Sequence, residues 1–355
     1  FANAGIPVRI VDVSADALDR GRSAIEQNYN KSVERGALAQ SQAEHAFSLI
    51  ETTTDYGALS NAHIAVEAVF EDLDLKRTFF SKLDEVLPGG ATLATNTSSL
   101  DIDAIAAATK RPESVVGAHF FSPANVMKLL EVVRGAQTSS ATIATIFNLA
   151  KRINKLPVLV GNCDGFVGNR MLQYYSTEAE FMLEEGATPE QVDRVAEAFG
   201  MAMGPLAVRD LIGLDTSLYV RKIRRASLPT SERLPEIVEA LVARGRHGQK
   251  NAFGYYRYNK NSRLTDPDAI AIIEQSSKAK GAKRRTFSDD EIRDRLFMPL
   301  ANEGVRILEE GIAGRVGDID TIWLNGYGFP AHRGGPMYWG EEAGLASIVT
   351  MAERL

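Results

Sequence analysis

Short apolar runs alternate with helical stretches from Val8 to Gly161, and this alternation commits the first half of the chain to a parallel α/β sheet. Phe1 to Ala4 reads as a helix tail stopped by Gly5 and Pro7. Val8 to Val11 (VRIV) is a strand ending at Asp12, and Ser14 caps a long helix with Leu18, Ile25, Tyr29 and Val33 on one side, ending at Gly36. Ser41 to Glu44 (SQAE) has the pattern of a capping box. Ile64 to Phe70 is a strand, followed by a helix opened by Glu71 and Asp72 that runs to about Val86. Thr92 to Thr95, Val115 to Phe121, Met127 to Val133 and Pro157 to Gly161 are further strands, and Ser139 to Ile153 is helical. In dinucleotide-binding sheets an acid at the end of the second strand holds the adenosine ribose, and the glycine-rich turn lies about 20 residues earlier. Asp12 has that place, which puts the turn before residue 1 and makes this an N-terminally truncated Rossmann-type unit. With an acid there and no arginine directly after it, NAD is expected rather than NADP.

Chemistry-bearing residues gather between Ala94 and Glu131. Ser98 lies in the polar turn Asn96-Thr97-Ser98-Ser99, His119 stands near the C-terminal end of a buried strand, and Glu131 sits on the next strand, where it can face the histidine. Ligands of open α/β sheets bind at the carboxyl ends of strands. A histidine there, with a carboxylate to hold one ring nitrogen, has the layout of a general base. Each residue also has an ordinary reading: a core histidine, an edge glutamate, a serine turn. Acids in a first helical turn commonly serve the dipole, and Lys76 reads as a surface lysine.

Beyond Gly165 the texture becomes helical. Val167 to Glu185 is one long amphipathic helix with Asn169 in its first turn, and Pro189 starts another that continues to Phe199. An internal repeat follows. Met182 to Gly186, Val192-Asp193 and Gly204-Pro205 recur as Ile307 to Gly311, Ile319-Asp320 and Phe329-Pro330; Gly213-Leu214 matches Gly344-Leu345. The expected organisation is therefore a nucleotide-binding domain over 1–162, a first helical domain over 163–258, a polar connection with one short helix over 259–288, and a second helical repeat over 289–355. The basic run Lys278 to Arg285 (KAKGAKRR) reads as a solvated linker.

Composition closes off several function classes. A net charge of −6 speaks against an extended nucleic-acid footprint. The single cysteine, Cys163, excludes an internal disulfide and any metal site built on cysteine clusters, and fits a reducing compartment. No run of about 18 apolar residues is present, so no membrane span is expected. Neither a signal peptide nor a recognised C-terminal address is visible.

At this level of detail the chain strongly resembles the L-3-hydroxyacyl-CoA dehydrogenase part of the multifunctional fatty-acid β-oxidation enzymes. The motifs are NTSSL (Asn96 to Leu100), HFFSP (His119 to Pro123), MKLLEVV (Met127 to Val133) and DGFVGNR (Asp164 to Arg170), then MGP (Met203 to Pro205), GLD (Gly213 to Asp215), GQKNAFGYYRY (Gly248 to Tyr258) and NGYGFPAHRGGP (Asn325 to Pro336). The resemblance implies an active site of Ser98, His119, Glu131 and Asn169. It also implies NAD contacts from Asp12, Glu71 and Lys76, with Ser98 and Ser122 near the nicotinamide, and a CoA approach along Lys31 and Ser32. Ser122 agrees with the multifunctional branch; the single-function branch has Asn there.

The implied activity is oxidation of L-3-hydroxyacyl-CoA to 3-oxoacyl-CoA, with NAD as cofactor and no metal. The implied partners are an enoyl-CoA hydratase domain in the parent protein and, by analogy, a thiolase, with the chain a monomer or a homodimer. Two competing readings stand beside this one: a non-catalytic, crystallin-like fragment of the same fold, and a hydroxy-acid dehydrogenase without CoA. The second relies on a lysine base, against which the His-Glu pair speaks. The bacterial cytoplasm is the expected compartment, with the peroxisome the other choice.

Overall fold

The structure is a computed structural model that describes residues 1–225, 233–260 and 262–344. It divides into two compact units, Phe1–Phe166 and the chain from Val167 onward.

The first unit opens with a 3-10 turn, Ala2–Ala4, closed by Gly5 in the left-handed region (φ 68°). Then come β1 (Val8–Val11), α1 (Ala15–Glu34), α2 (Gln40–Ser48), β2 (Ile50–Thr53), β3 (Ile64–Glu67), α3 (Leu73–Val86), β4 (Thr92–Thr95), α4 (Ile102–Ala106), β5 (Val115–Phe120), β6 (Leu129–Arg134), α5 (Ser140–Arg152) and β7 (Leu156–Gly161). Helix starts follow the expected chemistry. Ser14 accepts from Ala17 N at 3.2 Å, Asp72 from Leu75 N at 2.8 Å and Ser139 from Thr142 N at 3.1 Å.

Four details correct the sequence reading. First, α2 begins at Gln40, so Ser41 sits inside the helix; the reach-back comes instead from Gln42, whose Oε1 accepts from Ala39 N at 3.1 Å. Second, β3 stops at Glu67, because the Glu67 carboxylate accepts from Val69 N at 2.6 Å and turns the chain out of the ladder. Third, the short polar strand β2 pairs parallel with β1 in a ladder of its own. Fourth, the main sheet, β3-β4-β5-β6-β7, is mixed: β5 and β6 are antiparallel, while the other neighbours run parallel. No helix separates β5 from β6, so the chain reverses directly between them.

That reversal sets the register Gly117↔Val133, Ala118↔Val132, His119↔Glu131. Side chains alternate along a strand, so Val116, Ala118, Leu130 and Val132 join one apolar cluster with Ile146 and Ala150 of α5. The opposite face holds Gly117, whose missing Cβ would stand 2.6 Å from Val133 Cβ and 3.0 Å from Ile102 Cδ1. His119 and Glu131 share that second face, as a cross-strand pair must.

The second unit contains α6 (Gly168–Glu185), α7 (Pro189–Phe199), α8 (Pro205–Ile212), α9 (Leu214–Arg225), α10 (Ile237–Val242), a hairpin of β8 (Arg257–Asn259) and β9 (Ser262–Leu264), α11 (Pro267–Ala279), α12 (Asp289–Glu309), α13 (Val316–Gly326) and α14 (Pro336–Ala343). The helices α6 and α12 pack on each other, and Phe199 of α7 stacks on Phe297 of α12 with ring centroids 3.7 Å apart. The repeat is real, but one pairing within it changes. Asp193 on α7 accepts from Leu206 N and Ala207 N at the start of α8 (2.9 and 3.0 Å). Asp320 on α13 accepts from Met337 N at the start of α14 (2.8 Å). The counterpart of Gly204-Pro205 is therefore Gly335-Pro336, not Phe329-Pro330. A Cβ on Gly204 or Gly335 would fall 2.3 Å from the facing aspartate, so glycine is what lets each carboxylate reach the helix start. Gly213 and Gly344 close α8 and α14 in matching conformations (φ 105°, ψ 128° and φ 89°, ψ 125°); Leu345, paired above with Leu214, lies outside the described residues.

Burial pushes the Asp193 carboxyl up to about 6, an effect only partly offset by its bonds from Leu206 N and the Tyr256 hydroxyl. Asp210 is likewise raised by burial to about 6 against bonds from Tyr255 N and Tyr256 N. Both groups take up a proton more readily folded than unfolded. The stability they contribute is thus fully present below the ordinary aspartate range and is lost as pH rises through about 6.

The basic run at 278–285 is not a solvated linker. Lys280 donates to Leu234 O (2.7 Å) and pairs with Glu184 (3.0 Å); Arg284 donates to Leu183 O (3.1 Å); Arg285 pairs with Glu291 (2.6 Å). Glu184, Glu185 and the carbonyl end of α6 draw these cations in. The helix α11 before them buries Ala269, Ile272 and Ile273 and packs against α6 and α10.

Candidate active site

His119 and Glu131 form the centre of the site in the first unit. Nδ1 lies 2.7 Å from Glu131 Oε2, with the carboxylate fully buried and the ring 7% exposed. A carboxylate only accepts, so Nδ1 carries the hydrogen and the lone pair is left on Nε2. The ring is held between Phe121 (centroids 4.6 Å apart) and Phe166 (5.9 Å), which fixes its plane.

Ser98 follows β4, and Glu71 joins it from the connection between β3 and α3. Glu71 Oε1 accepts from Thr97 Oγ1 (2.6 Å), Ser98 N (2.9 Å) and Ser98 Oγ (3.3 Å). Burial pushes the Glu71 carboxyl up, but the bonds from Thr97 and Ser98 and the charge of Lys76 outweigh it and leave it below its ordinary value. Lys76 is no surface lysine. It is completely buried, bonds Glu67 Oε1 at 2.7 Å and Val69 O at 3.3 Å, and lies 3.4 Å from Glu71 Oε2. Glu67 spends its other oxygen on Thr95 Oγ1 (2.7 Å). One network therefore runs from the ends of β3 and β4 to the Ser98 loop. Asn96 ties that loop to β5 by accepting from Phe120 N at 2.8 Å, one residue beyond His119.

Removing the lysine would strand a carboxylate that is 1% exposed. Lys76→Met is expected to cost about 3–5 kcal/mol of stability in urea unfolding, the scale of a broken buried pair. A loss below about 1 kcal/mol would mean that Thr95 and Val69 N satisfy Glu67 without the lysine.

The other anticipated residues are more scattered. Asp12 ends β1 and accepts from Ser14 N (3.0 Å). Val13 and Phe70, just beyond β1 and β3, are 78% and 68% exposed. Solvent-exposed apolar side chains beside carboxylates at strand ends suit a ribose-bearing planar ring system, so these residues fit a dinucleotide. Ser122 is exposed in the turn after β5, a turn pinned by Lys155 through Ala124 O and Met127 O. Lys31 is exposed and Ser32 half-buried in the last turns of α1, where the Ser32 hydroxyl donates to Asn28 O (2.8 Å). Asn169 belongs to the second unit, in the first turn of α6, where its Oδ1 accepts from Tyr327 Oη at 2.8 Å.

Glu67, Thr97 and Tyr327 were not anticipated as functional residues. Thr97 and Tyr327 lie inside the motifs NTSSL and NGYGFPAHRGGP, and Glu67 left a signal of its own, an acid closing the apolar run Ile64 to Glu67. Among the described residues, no group of three His, Cys, Asp or Glu is placed to hold a metal, and no helix is long and apolar enough to cross a membrane.

A Rossmann-like sheet with a buried His-Glu pair at its strand ends has the layout of a nucleotide-dependent dehydrogenase. Two family models match: the 3-hydroxyacyl-CoA dehydrogenase NAD-binding domain over residues 1–163, and the C-terminal domain of the same family over 165–258 and 292–355. The chain belongs to the 3-hydroxyacyl-CoA dehydrogenase family. It is 42% identical over 370 residues to the human peroxisomal bifunctional enzyme, covering 100% of this chain and 51% of that protein. The chain thus spans about half the length of the curated relatives it matches. Among solved structures, 3-hydroxybutyryl-CoA dehydrogenase from Escherichia coli superposes with a TM-score of 0.85 at 28% identity, covering 98% of this chain and 88% of that one. The dehydrogenase part of multifunctional enzyme 1 from C. elegans does so with a TM-score of 0.65 at 33% identity, covering 94% and 76%.

Proposed function

We propose that this chain oxidises L-3-hydroxyacyl-CoA to 3-oxoacyl-CoA, with His119 as the base. The observation that carries the reading is the 2.7 Å pairing of His119 Nδ1 with a buried glutamate at the end of the sheet. Oxidation of a secondary alcohol needs an acceptor for the hydroxyl proton and one for the hydride on C3. His119 Nε2 takes the proton, and Glu131 holds the tautomer and stabilises the imidazolium that forms. Ser98 hydrogen-bonds the C3 oxygen, and Asn169 orients the substrate at its thioester carbonyl. When bound, NAD accepts the hydride. Asp12 would hold its ribose; Glu71, Ser98 and Ser122 would line its path, with the buried Lys76 holding Glu71 from behind; Lys31 and Ser32 would stand on the CoA side.

The relatives carry peroxisomal and glyoxysomal names, which support the peroxisome over the bacterial cytoplasm. A hydratase half in the parent protein, a thiolase partner and a monomeric or dimeric state belong to the same proposal.

The test is NADH formation from L-3-hydroxybutyryl-CoA and a longer L-3-hydroxyacyl-CoA, with NAD binding titrated in parallel. Turnover of either substrate supports the proposal. NAD binding without turnover of any hydroxyacyl-CoA would overturn the substrate assignment and favour the non-catalytic reading.

A further inference from the structure

Three successive residues at the start of α6 are each engaged by the second helical repeat. Gly168 lies under the Tyr327 ring so closely that a Cβ would stand 2.3 Å from Cε2. Asn169 Oδ1 accepts from Tyr327 Oη at 2.8 Å. Arg170 reaches the other way: its Nε donates to Glu303 on α12 at 2.6 Å and its two terminal nitrogens to Glu310, which caps the C-terminal end of α12, at 2.5 and 2.9 Å. Tyr327 is itself fixed. It follows α13 directly and stacks on the fully buried Trp323, with centroids 4.9 Å apart and planes 26° from parallel.

An asparagine in the first turn of a helix has two easy uses for its amide: bonding to its own backbone or to water. Neither aims it at a substrate. A phenol donor on Oδ1, backed by a stacked indole and by a glycine that admits the ring, sets the plane of the amide and with it the direction in which the Nδ2 hydrogens point. The bidentate arginine next door stops the helix turn from rotating. We infer that the second helical repeat serves the active site through Tyr327, a positioning residue that orients the Asn169 amide toward the acyl-CoA substrate. This rests on the proposed role of Asn169 in holding that substrate. The duplicated unit is then a working part of the dehydrogenase and not only a packing partner.

The experiment is a double-mutant cycle on the whole chain, with Tyr327→Phe, Asn169→Ala and the pair. Tyr327→Phe keeps the ring over Gly168 and against Trp323 and removes only the hydroxyl. It is expected to lower kcat/KM for L-3-hydroxyacyl-CoA about 5- to 100-fold, the range for one lost hydrogen bond to a partner that must stay oriented. The KM for NAD and the urea midpoint should stay at their wild-type values. In the Asn169→Ala background the same change should have no further effect, within about 2-fold. An equal loss in both backgrounds would overturn the proposal, because the hydroxyl would then act independently of Asn169. So would a silent Tyr327→Phe beside a crippled Asn169→Ala. A silent Asn169→Ala would instead remove the role of Asn169 itself, and the inference with it. These two failures are told apart by which single variant is silent.

Discussion

His119→Gln is expected to lower kcat about 10²- to 10⁴-fold, the range for removing a general base, while the chain folds and binds NAD as before. The substitution isolates chemistry from structure. Glu131 is fully buried and must keep a donor, and the glutamine amide can still donate to it in place of Nδ1. The packing of Phe121 and Phe166 around the side chain loses a planar ring but keeps a group of similar reach. Nothing at that position can then accept the hydroxyl proton. The decisive comparison is single-turnover NADH formation at saturating NAD. Loss of less than about 10-fold would place the base elsewhere, because even a weak general base contributes more than that.

The pair itself was legible before any coordinates. His119 and Glu131 occupy two apolar runs whose alternation leaves both residues on one face, and the ladder joins them as direct partners. What could not be read was the direction of that ladder. Antiparallel pairing depends on the reversal between β5 and β6, and the intervening residues carry neither a helical period nor a two-residue hairpin signal. The strand β2 escaped notice because IETT offers only one buried residue, Ile50. Helical starts were legible where a side chain makes the cap, as at Ser14 and Ser139, and misplaced where Gln42 reaches back to an alanine.

Lys76 shows the limit of local reading most clearly. A lone lysine in an amphipathic helix belongs on the surface by every local rule, and only Glu67, nine residues away, explains its burial. Neither residue announces the pair when read by itself. Tyr327 and Asn169, 158 residues apart, are further still beyond any pattern rule. The repeat was visible as recurring motifs, but its last pairing was not. Asp193 lies 12 residues before Pro205, whereas Asp320 lies 10 before Pro330 and 16 before Pro336, so spacing alone favours the wrong Pro. What the two copies share is an aspartate reaching the backbone of the next helix, and that becomes visible only in three dimensions.

Glu131→Gln is the second large effect: kcat is expected to fall about 10²- to 10⁴-fold, the upper end being what the corresponding acid-to-amide change costs in a Ser-His-Asp triad. The argument runs through charge and tautomer together. In the proposed mechanism the carboxylate, 2.7 Å from Nδ1, holds the hydrogen there and stabilises the imidazolium produced when Nε2 takes the substrate proton. An amide of the same shape can meet Nδ1 with either its oxygen or its nitrogen, so it neither enforces the tautomer nor balances the charge. Stability should move the other way or hardly at all, because a fully buried carboxylate costs desolvation that a neutral amide avoids. A variant at least as stable as the parent yet crippled in turnover would separate a catalytic carboxylate from a structural one. The double variant sharpens this. If the two residues act as one unit, His119→Gln with Glu131→Gln should be no slower than His119→Gln alone. Losses that multiply would mean that Glu131 acts on the reaction by a route other than the histidine, and unchanged turnover in Glu131→Gln would remove its paired role altogether.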